Sequence, residues 1–415
     1  MRKFRLSFLI FTFISSVLFA LNAQAYDGRI IDAQTKAPIA GAIVVLGDEV
    51  VTARSNGTFH LNGTGDTIKV HTPGYQRQEV ASASLVDHSD IPMTPFKVKA
   101  LYLTGYGLAD HGIRNKVLQA VDDNNFNALV IDMKGDRGFI PFKVNIPLAD
   151  QIGAQKTILI KDAPALMAAL KQKHLYLIAR IVVFKDDLLA QAKPEWAVKK
   201  DGAIFHDREN LRWIDPFQQQ AWDYNIAIAK AAAEMGFDEV QFDYVRFPDT
   251  RGVEFSQATN QASRTQAITG FLTAAHKALA PYNVMVSADI FGYVPWNSND
   301  TDIGQDINQL VNAVDIVSPM LYPSGFQLGI PKHPNPVQAP YETVNLTLQR
   351  AIARTKVSAL HFRPWLQAFH DYAFKGGDFS EDRMRIQIKA ANDAGASGYM
   401  FWNPRNVYPT GKFDS

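Results

Sequence analysis

Cysteine is absent from the 415-residue sequence. That absence excludes disulfide stapling, thiol catalysis, a Cys-ligated zinc site and an acylated-Cys lipoprotein anchor. Excess charge is absent too: 42 Lys and Arg face 41 Asp and Glu. No overall basic field exists to draw in nucleic acid, so nucleic acid is not an expected partner and any ligand must be held by local groups. Beyond the first 25 residues no apolar run is long enough to span a bilayer, so no membrane span is expected in the mature chain. No strand-like run is followed by G-x-G-x-x-G or by a phosphate-binding G-x-x-x-x-G-K-[ST], which leaves a doubly wound nucleotide-binding sheet without support.

What is present divides the chain in three. Residues 1–25 place Arg2, Lys3 and Arg5 before an apolar stretch that ends in Ala23-Gln24-Ala25. This is the layout of a secretory signal peptide, and it implies an exported protein, periplasmic or extracellular, with Tyr26 as the first mature residue. Residues 26–95 read as short strands separated by turn signals such as Asn56-Gly57 and Gly63 to Gly65, which predicts a small antiparallel sandwich. Within it His60 and His71 have no metal-ligand spacing and read as ordinary strand residues.

From residue 96 to 415 the period changes. Eight apolar runs, beginning at Val98, Ala128, Leu175, Glu239, Val284, Asp315, Ala359 and Ser397, alternate with segments whose apolar residues recur at three and four. That alternation predicts an α/β fold, a (β/α)8 TIM barrel. After the eighth run only "PRNVYPTGKFDS" remains, too short for a full closing helix, so either the barrel lacks that helix or another segment covers the gap.

In such barrels chemistry is carried at the C-terminal ends of the strands. Sorting the sequence by that rule gathers carboxylates, arginines and aromatic residues at one mouth, the lining expected for a carbohydrate. Asp243 and Asp289 end the fourth and fifth runs and are the candidate catalytic pair, because glycosidic cleavage needs one group to protonate the leaving oxygen and another to meet the developing cation. Asp132, Arg180, Arg246, Tyr293, Tyr322, Trp365, Trp402 and Asn403 are the candidate substrate-binding residues. Lys134, Arg363, His111 and His370 are also assigned to strand ends. Along "DEVQFDYVRF", strand alternation puts Gln241 and Asp243 inward and packs Tyr244 toward the helices, with Arg246 and Asp249 on the loop beyond. His111 and His370 do not form a ligand spacing, and no metal or other cofactor is expected.

Two resemblances add to this reading. "GRIIDAQTKAPIAGAIVVL", "SNGTFHL" and "VHTPGYQRQEV" resemble the carboxypeptidase regulatory-like domain, which implies an accessory or spacer module. "LYLTGYG", "NALVIDMKGDRG", "ARIVVFKD", "WIDPF", "DEVQFDYVRFPD", "SADIFGY", "VDIVSPMLYPSGF", "RPWLQAF" and "GYMFWNP" resemble, in order, the family called putative glycosyl hydrolase domain. More distantly they are similar to glycoside-hydrolase-like barrels carrying "FDYIRYP". The resemblance implies a polysaccharide or oligosaccharide substrate and gives Asp243 the acidic position of the "FDY" motif. Chitinase-like barrels place a Tyr after strand six, matched by Tyr322, but their D-x-x-D-x-D-x-E run is missing, with Val245 where its last acid would fall. A non-catalytic carbohydrate-binding barrel is the alternative. A polysaccharide deacetylase-like metal enzyme is another, and it requires an Asp/His/His set at the mouth.

Overall fold

The computed structural model describes residues 25–85, 89–409 and 412. Apart from Ala25, the signal-peptide segment lies outside the described residues.

Seven strands come first: β1 (Tyr26–Asp32), β2 (Ile43–Leu46), β3 (Glu49–Thr52), β4 (Thr58–Leu61), β5 (Thr67–His71), β6 (Gln78–Ala81) and β7 (Ser89–Met93). They form two sheets, in the orders β4-β1-β7 and β3-β2-β5-β6. Ile30, Val44, Phe59, Ile68, Val70 and Ile91 share one core, as alternating strands with a single buried face require. Asn56-Gly57 does form a turn: Gly57 has φ +77°, and a Cβ there would meet the Ile30 carbonyl at 2.5 Å. The sheets are not wholly antiparallel. β1 and β7 pair in parallel, because the chain reaches β7 only after crossing the other sheet, the long connection a parallel pair needs.

Eight parallel strands then close into a barrel. In chain order they are β8 (Val98–Leu103), β9 (Ala128–Lys134), β10 (Tyr176–Val182), β13 (Glu239–Asp243), β14 (Met285–Phe291), β15 (Ile316–Met320), β16 (Trp365–Gln367) and β17 (Gly398–Trp402). A two-strand ribbon, β11 (Lys199–Lys200) and β12 (Ala203–Ile204), sits in the long loop after β10. Each expected run supplies one barrel strand. The seventh is much shorter than its run, since Ala359–His361 forms a 3-10 turn instead. Helices such as Gln219–Glu234, Gln261–Leu279 and Glu381–Asp393 pack outside, burying stripes at helical spacing.

No helix follows β17 among the described residues. The tail itself fills the gap: the Tyr408 hydroxyl donates to the Tyr102 carbonyl at 2.8 Å and accepts from the Tyr102 N–H at 3.0 Å. The Asn406 amide oxygen accepts from the Thr104 hydroxyl at 2.8 Å.

Alternation along β13 aims Glu239, Gln241 and Asp243 inward at three successive levels. Glu239 pairs with Arg363 and accepts from Ser287 Oγ at 2.5 Å near the strand starts. Gln241 meets Ser318 and Met400 in the middle, and Asp243 meets Arg180 at the strand ends. The N-terminal sheets lie at the opposite end from Asp243. Arg77 donates to the Asn283 carbonyl at 2.7 Å and pairs with Asp238, both just ahead of barrel strands.

Candidate active site

Asp243 and Asp289 owe their proximity to register. β13 and β14 pair in parallel up to Phe242 with Ala288, so the next step along both strands sets the two aspartates side by side. Neighbouring strands run about 4.8 Å apart, which places the carboxylates at one point of the rim. Both line a cleft of about 400 Å³ at the C-terminal mouth.

Their surroundings differ. Asp243 Oδ2 accepts from Arg180 Nε at 3.0 Å and from the Arg180 terminal nitrogen at 2.5 Å, and its Oδ1 accepts from the Tyr244 N–H at 2.6 Å. Asp289 Oδ1 accepts from Trp365 Nε1 at 2.8 Å, a neutral donor. Burial, helped by the charge of Asp243, pushes the Asp289 carboxyl well above the usual carboxylate range, and Arg180 only partly opposes this. The site therefore sets a carboxylate clamped by a guanidinium beside a carboxyl whose hold on its proton is strengthened by burial.

Arg180 is itself held in place. It donates to Asp132 at 2.7 Å, and Asp132 accepts from the Tyr102 hydroxyl at 2.6 Å. Its guanidinium carbon stands 4.8 Å from the Trp402 ring, which stacks on Tyr102 with centroids 3.9 Å apart. Trp365 meets Trp402 edge to face at 5.5 Å. Tyr322 completes this aromatic side, and burial beside Asp289 and Asp243 raises its hydroxyl pKa well above the ordinary value.

Of the ten residues named from the sequence, Asp243, Asp289, Arg180, Arg246, Tyr322, Trp365 and Trp402 line the cleft. Asp132 stands behind them as the second partner of Arg180. Tyr293 and Asn403 lie elsewhere, and the reason is local hydrogen bonding. The Tyr293 hydroxyl donates to the Gly329 carbonyl and accepts from the Leu328 N–H, while the Asn403 amide donates to the Ala368 and Val407 carbonyls. Both hold loops, and neither lines the cleft.

Three further expectations are corrected. Tyr244 does not pack toward the helices, because β13 ends at Asp243 and Tyr244 takes φ +48°, which breaks the alternation. Its ring turns into the cleft, 4.9 Å from the Lys185 ammonium and 5.1 Å from the Arg246 guanidinium. Lys134 leaves the mouth because the β9 and β10 pairing skips a residue after Asp132; its ammonium instead meets Asp186 at 2.5 Å in a fully buried pair. Arg363 precedes β16 and lies at the lower level with Glu239. His370 stays exposed beside Asp378, and His111 is exposed beside Arg114.

Asp207, Arg208 and Glu209 also line the cleft and were not singled out from the sequence. Lys185 binds Glu209 at 2.7 Å and Asp207 at 3.3 Å, so this wall is charged. The signal was the run "HDREN" inside a long loop after a barrel strand.

A closed parallel barrel with paired carboxylates and an aromatic wall at its C-terminal mouth is a glycoside-hydrolase-like domain. The chain belongs to the putative glycosyl hydrolase domain family, which matches residues 100–408. Among solved structures, the glycoside hydrolase domain of PgaB (BpsB) from Bordetella bronchiseptica shares the fold, with a TM-score of 0.56 and 14% identity, covering 75% of this chain and 95% of that one. A hypothetical protein from Ruminiclostridium thermocellum ATCC 27405 is 36% identical, covering 46% of this chain and 96% of that one, with a TM-score of 0.41. A chitinase from Chromobacterium violaceum ATCC 12472 is 12% identical, covering 75% of this chain and 96% of that one, with a TM-score of 0.46. No curated protein sequence matches the chain.

Proposed function

We propose that the protein is an exported hydrolase that cleaves the O-glycosidic bonds of a polysaccharide, with Asp289 as the acid and Asp243 as the carboxylate that meets the anomeric carbon. One observation carries this reading: the two aspartates are neighbours in register yet sit in opposite electrostatic surroundings. A pair whose environments separate an acid from a carboxylate is what general acid catalysis with nucleophilic assistance requires.

In the first step Asp289 gives its proton to the glycosidic oxygen as the bond to the anomeric carbon breaks. Asp243 forms the ester that replaces that bond. Water then attacks the anomeric carbon while Asp289 takes its proton, and Asp243 leaves as the carboxylate. Their neighbouring positions on adjacent strands, whose backbones run about 4.8 Å apart, favour the close carboxyl spacing of retaining enzymes over the wider gap in which an inverting enzyme seats water. Trp402 and Tyr322 offer faces for the apolar sides of sugar rings, and Arg246 with the Asp207 to Glu209 wall offers partners for hydroxyls. The N-terminal sheets serve as a carboxypeptidase regulatory-like spacer on the side away from the cleft.

The test is incubation of the purified protein with a panel of polysaccharides, reading new reducing ends and the anomer first released. Asp243→Asn and Asp289→Asn should fold and each lose at least about 100-fold in rate. If both keep full activity on a substrate the parent cleaves, the pairing is wrong. Binding with no new reducing ends would make the barrel a carbohydrate-binding domain. No helix among the described residues is long and apolar enough to cross a membrane.

A further inference from the structure

Far from the cleft, three elements distant in sequence bring together His71, His276 and Asp315. His71 ends β5 of the N-terminal sheets, His276 lies in the last turn of the helix Gln261–Leu279, and Asp315 directly precedes β15. One ligand atom from each lies within 4.8 Å of the other two. We propose that these residues bind a divalent transition metal, zinc by their chemistry, and that the ion clamps the N-terminal sheets to the lower end of the barrel.

The argument begins with the His71 ring. Its Nδ1 lies 2.9 Å from the Asn283 amide oxygen, an acceptor, so Nδ1 carries the proton. Nε2 is then left with a lone pair. That atom is buried and has no hydrogen-bond partner, and His71 is only 1% exposed. What it faces is the Asp315 carboxylate at 3.9 Å, so two electron-rich groups point at each other inside the protein. A cation between them resolves the conflict. A second proton on His71 would do so only by burying an imidazolium, which carries a large desolvation cost in a ring this enclosed. The nearby guanidinium of Arg77 is committed to the Asn283 carbonyl and Asp238.

The remaining geometry suits zinc. His276 Nε2 stands 3.3 Å from Asp315 Oδ2, which is the edge of a tetrahedron with bonds of about 2.0 Å. His71 Nε2 faces the other oxygen of the same carboxylate, Oδ1, at 3.9 Å, and the three ligand atoms lie within 4.8 Å of one another, so a modest inward shift of the rings brings them to one ion. Asn283 and the Val286 N–H, which donates to Asp315 Oδ2 at 2.8 Å, orient the ligands from behind. The His276 side chain is 25% exposed, which leaves a path for the ion and room for water as a fourth ligand. His361 is turned away, its Nδ1 on the Asp315 backbone carbonyl at 3.1 Å.

This set has the residue types of a deacetylase-like metal centre, but it sits at the end of the barrel opposite Asp243. A structural clamp follows, not a second reaction centre. His71 was read from the sequence as an ordinary strand residue because its partners lie far along the chain.

The experiment uses the full mature chain, stripped with EDTA and titrated with Zn²⁺ by calorimetry and with Co²⁺ by visible absorption. One ion per chain is expected, with tetrahedral Co²⁺ bands and a Tm raised by several degrees. His276→Gln and Asp315→Asn should weaken Zn²⁺ binding by at least about 100-fold and abolish the Tm shift. Asn283→Gly keeps the left-handed backbone at φ +55° and removes only the group that sets the ring tautomer; it should weaken binding by about 10–100-fold. If Asp315→Asn fails to fold, the other two variants decide. Absence of stoichiometric binding, or binding unchanged in His276→Gln and Asn283→Gly, overturns the proposal.

Discussion

Arg180 joins Asp132 to Asp243, its guanidinium reaching one carboxylate at 2.7 Å and the other at 2.5 Å from the strand that lies between theirs. A planar fork can serve both partners at once, whereas an ammonium cannot. Arg180→Lys should therefore keep the charge and the fold but lower kcat/KM by about 100-fold, because Asp243 loses its orientation. Arg180→Met leaves the buried Asp243 and the half-buried Asp132 without their counter-charge and should destabilise the protein by about 3–5 kcal/mol, read from the urea midpoint. Full activity in Arg180→Lys would show that the clamp does not position the reactive group.

Asp289 sets an opposition between activity and stability. Its folded-state pKa is raised by burial and by Asp243, so the native state holds this proton at pH values where the unfolded chain has released it. Stability is then lost as pH rises from the ordinary carboxyl range, about 4, toward the raised native value. Asp289→Asn removes the ionisation and should flatten that slope. The variant should be more stable than the parent at neutral pH, with the difference growing as pH rises, while its hydrolysis falls by about 100-fold or more. In the parent, the rate should decline on the alkaline side as Asp289 ionises. A variant less stable than the parent at neutral pH would contradict the burial argument.

Most of the barrel and its two aspartates were legible in the sequence. Each of the eight runs supplies a parallel barrel strand, buried on both faces and so written in apolar residues. Asp243 and Asp289 stood out because they end two such runs in succession. The errors came from places where the backbone departs from a simple strand. Tyr244 was misassigned because strand alternation was carried one residue too far, past a left-handed φ that an aromatic residue does not announce. Lys134 was misassigned because a skipped residue in strand pairing reverses which side faces inward. His71, His276 and Asp315 were invisible as a set, since nothing in the sequence says that the N-terminal sheets meet the barrel there.

Glu239 and Arg363 offer a control for the cleft. They pair at the lower level of the barrel, both fully buried, and Glu239 also accepts from Tyr176 at 3.0 Å. Glu239→Gln leaves the Arg363 guanidinium without its counter-charge and should cost about 3–5 kcal/mol, measured by urea unfolding. At a temperature where the variant is folded, its kcat should match the parent. A large loss of kcat with little loss of stability would move the reaction centre down the barrel.

Gly398 controls closure of the barrel. It begins β17 and pairs with Val98 at the start of β8, where the last strand meets the first. Its φ is +128°, and a Cβ at this position would lie 1.8 Å from the Val98 carbonyl oxygen. Neither the backbone conformation nor the contact can accommodate alanine unless the two strands separate. Gly202 provides the comparison: it also has positive φ, +77°, but a Cβ there meets nothing within 4 Å. Gly202→Ala should cost only the backbone penalty, about 1–2 kcal/mol. Gly398→Ala adds the clash and should cost about 3 kcal/mol or more, with a lower urea midpoint and faster amide exchange at the β17 and β8 seam. Equal losses in the two variants would mean that the seam gives way freely, and closure would then depend on the Asn406 and Tyr408 contacts that cover β8.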